Sequence, residues 1–199
     1  MTGDLSGLAR APRGLGKGKG AWPATLASCL EGDATAWRQL HRQYHPVAVA
    51  FLRKLGTPEE ELEDACQDVF VEMFRYLPRF RGEADPKTWL YRLCITQARR
   101  ARSRRRVRRT LDVVLMRNPE AAPVASPSFC EQTARQRVDR ALSQLSQSDR
   151  TVFVLFEMEG LPGAEVAQIV RCKEATLWRR LHYARERFRQ ALLQSEGAS

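Results

Sequence analysis

The chain has 199 residues, is 43% hydrophobic and 28% charged, and carries a formal net charge of +10. That length allows one soluble domain or two small ones. No apolar run reaches the ~18 residues of a membrane span and no signal-peptide core stands near the N-terminus, so a cytoplasmic protein without membrane insertion is expected. Five cysteines (Cys29, Cys66, Cys94, Cys130, Cys172) are scattered without a C-x-x-C pair, which fits reduced thiols better than a disulfide framework or zinc site. His41 and His45 share a helical spacing that suits two metal ligands, but no third ligand is near. No metal and no cofactor are expected.

Residues 1–23 are Gly-rich and carry Arg10, Arg13, Lys17 and Lys19 without periodic apolar positions; a disordered basic tail is expected. Order is expected to begin near Trp22. Asp33 is a good N-cap, after which Trp37, Leu40, Tyr44, Val47, Phe51 and Leu55 recur every three or four residues as an amphipathic stripe. Pro46 is expected to break or kink this helix, and Gly56 to end it. Thr57, Pro58 and Glu60 then read as a cap, a first-turn proline and a capping box. Leu62, Cys66, Val69, Met73 and Leu77 form the buried stripe of the helix that follows. Asp64, Gln67, Asp68, Val71 and Arg75 lie on its opposite face. From spacing alone this face is a solvated one; being acidic, it would repel DNA, so any partner should be a protein.

Residues 78–86 form a loop containing Phe80, closed by Asp85 as a cap and Pro86 as a helix start. Trp89, Leu90, Tyr91, Leu93, Cys94 and Ile95 make the next helix apolar almost all round, as suits the centre of a bundle. Thr88, Arg92, Thr96, Arg99 and Ser103 share its remaining stripe. The stripe leads into residues 99–109, where eight of eleven positions are arginine, a charge equal to most of the chain's excess. Guanidinium groups fixed on a helix suit phosphate, since each offers a planar fork of donors. Trp89 reads equally well as core or as a stacking surface for an unpaired base.

Residues 110–132, interrupted by Pro119, Pro123 and Pro127, read as a flexible linker. Beyond it the pattern is helical again. Val138, Leu142 and Leu145 mark one helix; Val152, Leu155 and Phe156 mark another, with Ser148 as the expected cap and Gly160 as its end. A short helix over 164–170 and a long one over 174–193 are separated by Arg171-Cys172-Lys173, the plan of a helix-turn-helix. Leu177, Leu181, Ala184 and Phe188 should turn inward; Thr176, Arg179, His182 and Tyr183 should face out. Lys173, Arg180, Arg187 and Arg189 flank them at positions suited to phosphates. Arg171 stands where a tight turn favours glycine; a left-handed backbone there costs about 1–2 kcal/mol. The expected fold is all-α: two small helical domains joined by a linker.

Several segments resemble one family. Asp64-Ala65-Cys66-Gln67-Asp68-Val69-Phe70, Phe80-Arg81-Gly82-Glu83-Ala84 and Lys87-Thr88-Trp89-Leu90-Tyr91-Arg92 look like region two of extracytoplasmic-function sigma factors. Arg150-x-Val152-Phe153-x-Leu155, Glu159-Gly160-Leu161, Glu165-Val166-Ala167, Thr176-Leu177-x-x-Arg180-Leu181 and Ala184-Arg185 look like region four, in the same order and spacing. The resemblance implies a region-two unit over 24–109 and a region-four unit over 133–194. It implies that Asp64, Gln67, Asp68, Phe70 and Val71 dock on core RNA polymerase. Phe80, Arg81, Lys87, Trp89, Arg92, Thr96, Arg99, Arg100 and Arg102 would bind and open the -10 promoter element. Lys173, Thr176, Trp178, Arg179, Arg180 and Tyr183 would contact the -35 element. Promoter DNA and core polymerase are the implied partners, an anti-sigma factor is a further one, and no catalytic residue is implied. The chain departs from the family's pattern at Thr96-Gln97, Asp85-Pro86, Ser146, Arg171, Ala175 and Trp178.

Two other readings compete. A stand-alone helix-turn-helix regulator explains the C-terminal half and the arginines but leaves the acidic face without a role. A nucleic-acid-modifying enzyme finds no carboxylate cluster, metal set, phosphate-binding glycine loop or activated nucleophile in the sequence.

Overall fold

The computed structural model describes residues 28–77, 85–114 and 134–196. The basic tail, the loop bearing Phe80 and Arg81, and most of the expected linker lie outside the described residues. Helices α1 (Ala34–Lys54), α2 (Glu59–Tyr76) and α3 (Pro86–Val114) pack as one bundle. Helices α4 (Ala134–Ser143), α5 (Gln147–Phe153), α6 (Gly163–Val170) and α7 (Glu174–Glu196) pack as a second. Buried side chains of both halves join in one continuous apolar cluster.

Asp33 caps α1 as expected, its Oδ1 accepting the Thr35 N–H at 2.7 Å. The helix then runs through Pro46 instead of breaking there. Pro46 lies on the exposed face, where the carbonyl it leaves unpaired is open to water. At the other end Gly56 adopts φ +88°, donating its N–H to Arg53 O at 2.9 Å, while Thr57 donates to Leu52 O at 3.1 Å. This pair of bonds is a Schellman motif. It also explains why the expected capping box is absent. The Thr57 N–H is already bonded, its hydroxyl is buried without a partner, and α2 starts at Glu59 with Pro58 as its cap residue. Glu59 instead takes a two-pronged bond from Arg53, Nε to Oε2 at 2.9 Å and Nη2 to Oε1 at 2.6 Å.

Asp85 caps α3 through the Lys87 N–H at 2.8 Å. Trp89, Leu90, Tyr91, Leu93, Cys94 and Ile95 are all buried, and the Tyr91 ring packs on Phe51 with centroids 4.4 Å apart. Each such large apolar side chain contributes about 1.5–3 kcal/mol through burial. The helix continues past 109, the expected end, to Val114, because arginine is a good helix former and no breaker intervenes.

In the second half the cap of α5 is Ser146, not Ser148: Ser146 Oγ accepts the Asp149 N–H at 3.2 Å and donates to Asp149 Oδ2 at 2.5 Å. The helix then widens into a π-helical turn over Val154–Met158, and Gly160, at φ +70°, closes it. Arg171 is the left-handed residue between α6 and α7, at φ 57° and ψ 53°. The turn is thus of ordinary helix-turn-helix shape with the side chain accommodated.

The halves meet where α5 abuts the C-terminus of α1. Arg150, 7% exposed, donates from Nε to Lys54 O at 2.6 Å, and Gln147 Nε2 donates to Leu55 O at 3.3 Å. Burial pushes the Arg150 pKa down to about 10, so the group stays charged at neutral pH. A Cβ on Gly56 would lie 2.7 Å from Arg150 Nη1. Gly56→Ala is therefore doubly unfavourable, by its positive φ and by this clash. A loss of about 1–2 kcal/mol in urea-induced unfolding is expected from the backbone alone, and an unchanged midpoint would contradict this account. Burial, with Glu63 adding to it, pushes the Cys66 thiol up to about 12. At pH 8 its alkylation by iodoacetamide, mapped by mass spectrometry, should be roughly a thousandfold slower than that of a free thiol; a fast reaction would contradict the packing.

Candidate nucleic-acid interface

Three surfaces carry the residues singled out from sequence. The first is the outer face of α2. Asp64, Gln67 and Val71 are exposed and Asp68 is half-buried. Phe70 turns toward α1, its ring 4.5 Å from that of His41 and 6.2 Å from that of His45. The two histidines are therefore part of an aromatic stack, and His45 Nε2 also lies 3.4 Å from Glu63. Among the described residues no three metal-ligating side chains gather. Beside this stack an open cavity of about 730 Å³ is lined by Leu30, Trp37, His41, Phe70, Val71 and Phe74. Phe74 is 61% exposed yet rests on Trp37, ring centroids 4.8 Å apart. Sequence reading passed over Phe74, although its spacing of three and four residues from Val71 and Phe70 places it on the same surface.

The second surface is α3. Trp89 is 5% exposed and belongs to the core, so in this conformation its ring offers no face to a base. Lys87 is exposed, Arg92 and Thr96 are half-buried, and Arg99 and Arg102 are exposed. Thr96 Oγ1 donates to Arg92 O at 2.9 Å, a bond within its own helix. The arginine cluster is partly matched by α2: Arg100 Nη1 lies 3.1 Å from Glu72 Oε1, Arg104 Nη2 3.6 Å from Asp68 Oδ2, and Arg105 Nε 3.2 Å from Glu61 Oε2. Glu72 is nearly buried, so the Arg100 pair anchors one helix to the other. Arg99 points outward without a carboxylate partner among the described residues.

The third surface is the N-terminal half of α7. Leu177, Leu181 and Ala184 are buried, and Phe188 packs on Phe153 at 4.6 Å, which turns Arg179 and Tyr183 to solvent with Thr176 half-buried beside them. These three recur at helical spacing on one face. Lys173 is exposed at the turn and Arg180 is half-buried. Trp178, 46% exposed, packs its ring edge-on to Phe156 at 5.4 Å and leans over Gly163, where a Cβ would lie 2.6 Å from the indole. The indole thus packs where α7 meets the start of α6.

Comparison with known proteins gives the family. Residues 40–109 match the family model for Sigma-70 region 2, and residues 135–188 match that for Sigma-70, region 4. The chain is 30% identical over 166 residues to the ECF RNA polymerase sigma-E factor of Escherichia coli K12, covering 78% of this chain and 86% of that one. It is 28% identical over 170 residues to the RNA polymerase sigma-H factor of Pseudomonas aeruginosa, covering 81% and 88%. The fold is similar to CnrH in complex with the cytosolic domain of CnrY (TM-score 0.61, 24% identity, 86% of this chain and 96% of that one). It is also similar to the sigma factor RpoE in complex with the anti-sigma factor NepR from Bartonella quintana (TM-score 0.62, 23% identity, 78% and 95%). With both regions present in order, each built on its own helical bundle, the chain belongs to the extracytoplasmic-function family of RNA polymerase sigma factors, which direct promoter recognition and transcription initiation.

Proposed function

We propose that the first bundle, within residues 24–109, docks on core RNA polymerase and engages the -10 element, while residues 133–194 read the -35 element. The observation that carries this is the pairing, on one chain, of the outward α7 face (Thr176, Arg179, Tyr183) with the arginine-bearing helix α3. On α2, the exposed Asp64, Gln67 and Val71 with Phe70 and the adjoining apolar cavity supply a mixed polar and apolar surface for polymerase. Phe80 and Arg81, with Lys87, Arg92 and Thr96, would hold the opened -10 strand, and residues 110–132 would span the two elements. The protein acts by binding energy: unstacking a base costs a few kcal/mol, which contacts to DNA and polymerase offset. It works in the cytoplasm, where polymerase is, and an anti-sigma factor, the kind of partner with which the similarly folded RpoE was solved, would grip its two DNA-facing surfaces.

Run-off transcription with bacterial core polymerase and a promoter library tests this reading. Transcripts that require both components are expected. Duplex binding without core binding or initiation would favour a stand-alone regulator. Within the holoenzyme, Arg99→Ala should flatten the dependence of log affinity on log salt by about 0.9, the loss of one phosphate contact. Arg105→Ala should change it less, since Arg105 is paired with Glu61; equal effects would contradict the assignment. Arg179→Ala should change which -35 sequences work, and uniform weakening across all of them would argue against base readout by that residue.

A further inference from the structure

The N-terminal part of the polar face of α3 is covered. Glu159, the residue that follows the π-helical turn, has a side chain only 10% exposed and points it at α1 and α3. Its carboxylate lies 2.8 Å from Lys54 Nζ and 3.7 Å from Lys87 Nζ, and it accepts a hydrogen bond from the Tyr91 hydroxyl. In the first turn of α6 Glu165 accepts from the Thr88 hydroxyl, and three residues later Gln168 O accepts from Arg92 Nη2 at 3.2 Å. Lys87, Thr88, Tyr91 and Arg92 are four neighbours on one helix face, and each meets the second half of the chain.

The chemistry at Glu159 is that of an occupied anion site. Two ammonium groups, one from α1 and one from α3, converge with a phenolic hydroxyl on a single anion. We infer that Lys54, Lys87 and Tyr91 form a binding site for a backbone phosphate of promoter DNA, and that Glu159 fills it from within while the two halves are closed, holding the free chain off DNA. This rests on the reading of α3 as the -10 helix, and goes beyond it by adding Lys54 and Tyr91 to the DNA contacts and by giving the free protein a masked state. A phosphodiester fits because it presents the same charge and acceptor oxygens as the carboxylate, and because the site continues along α3 into Arg99 and the arginine cluster. The mask is releasable. Arg92 Nε is buried without a partner, and burial, followed by the nearby Arg171 charge, lowers the Arg92 pKa. The closed arrangement thus carries an under-satisfied cation that separation of the halves would return to water or offer to a second phosphate.

The test uses the full chain without polymerase and a fluorescein-labelled single-stranded DNA, read by anisotropy over a salt series. Glu159→Gln and Glu159→Ala should bind roughly tenfold tighter than the native chain. Their salt slope should be steeper by about 1.4, one phosphate contact at the Lys54–Lys87–Tyr91 site and a second at the released Arg92, at ~0.7 each on a single strand. Adding Lys54→Ala to either should remove about half of that increase in slope. Small-angle scattering should show a larger radius of gyration for both variants. Affinity and slope equal to the native chain in both variants would overturn the proposal. So would a gain that Lys54→Ala leaves intact, or a gain for polyglutamate in place of DNA. Failure of the native chain to support run-off transcription would count against the sigma reading itself; a working holoenzyme with no change in the Glu159 variants would overturn only the mask.

Discussion

The arrangement of the two halves depends on a guanidinium placed at the end of a helix. Arg150 is buried against the last carbonyls of α1, where the unpaired C=O groups and the helix dipole both favour a cation. Removing an arginine from water costs several kcal/mol, and the depressed Arg150 pKa registers that cost. What offsets it is geometric fit. Gly56 has no Cβ, so the guanidinium can lie against the chain as it leaves the helix, and the Schellman bonds of Gly56 and Thr57 hold that exit in place. With α5 seated there, the π-helical turn that follows has only one direction to go. It delivers Glu159 to Lys54, the last residue of the same α1 whose carbonyl Arg150 holds. The two contacts are therefore linked through one residue, one using its backbone and the other its ammonium.

A second constraint is the distribution of charge. Eight arginines within eleven positions of one helix repel one another, and α2 supplies three carboxylates, Glu61, Asp68 and Glu72, along the seam. The pairing sorts the cluster by direction. Arg100, Arg104 and Arg105 lean on α2, and Arg99 is left to face outward. It also bears on α2. Asp68, expected to face polymerase, already has Arg104 beside it, so its charge on that surface is moderated. Among the described residues Asp64 has no such ion-pair neighbour, so on the proposed reading it would be the stronger acidic contact for polymerase.

Much of this was legible in the sequence. The caps at Asp33 and Asp85, the breaks at Gly56 and Gly160, the core stripes of α2, α3 and α7, and the strained turn at Arg171 all follow from local chemistry and helical period. The misreadings have local causes as well. Thr57 has the right residue type for a cap, but its N–H was taken by the helix before it. Ser146 and Ser148 are both good caps, and which one acts is decided by Asp149, which can answer only Ser146 across the proper interval. Pro46 costs less where its missing bond faces water. Two features had no local signature. The π-helical turn depends on where α5 is held, and the contacts from Thr88 to Glu165 and from Tyr91 to Glu159 join residues 77 and 68 positions apart. Periodicity reports that a helix face is polar. It does not report whether the polar partner is water, DNA or the rest of the chain.

That ambiguity has a physical content in this protein. A face rich in donors, such as Lys87, Thr88, Tyr91 and Arg92, gains from any ordered set of acceptors. Phosphates and carboxylates compete for it on similar terms. The carboxylates of Glu159 and Glu165 have the advantage of being tethered, so they act at a high effective concentration when nothing else is present. Polymerase and DNA together have the advantage of number. A ligand that binds only the open form sees its affinity reduced by the fraction of molecules that are open, and a partner that holds the halves apart removes that reduction without touching DNA. On the proposed reading, core polymerase, by engaging α2 on one bundle while α7 on the other is held on the promoter, would act in this way. The same donors that favour closure in the free chain would then favour the promoter in the complex.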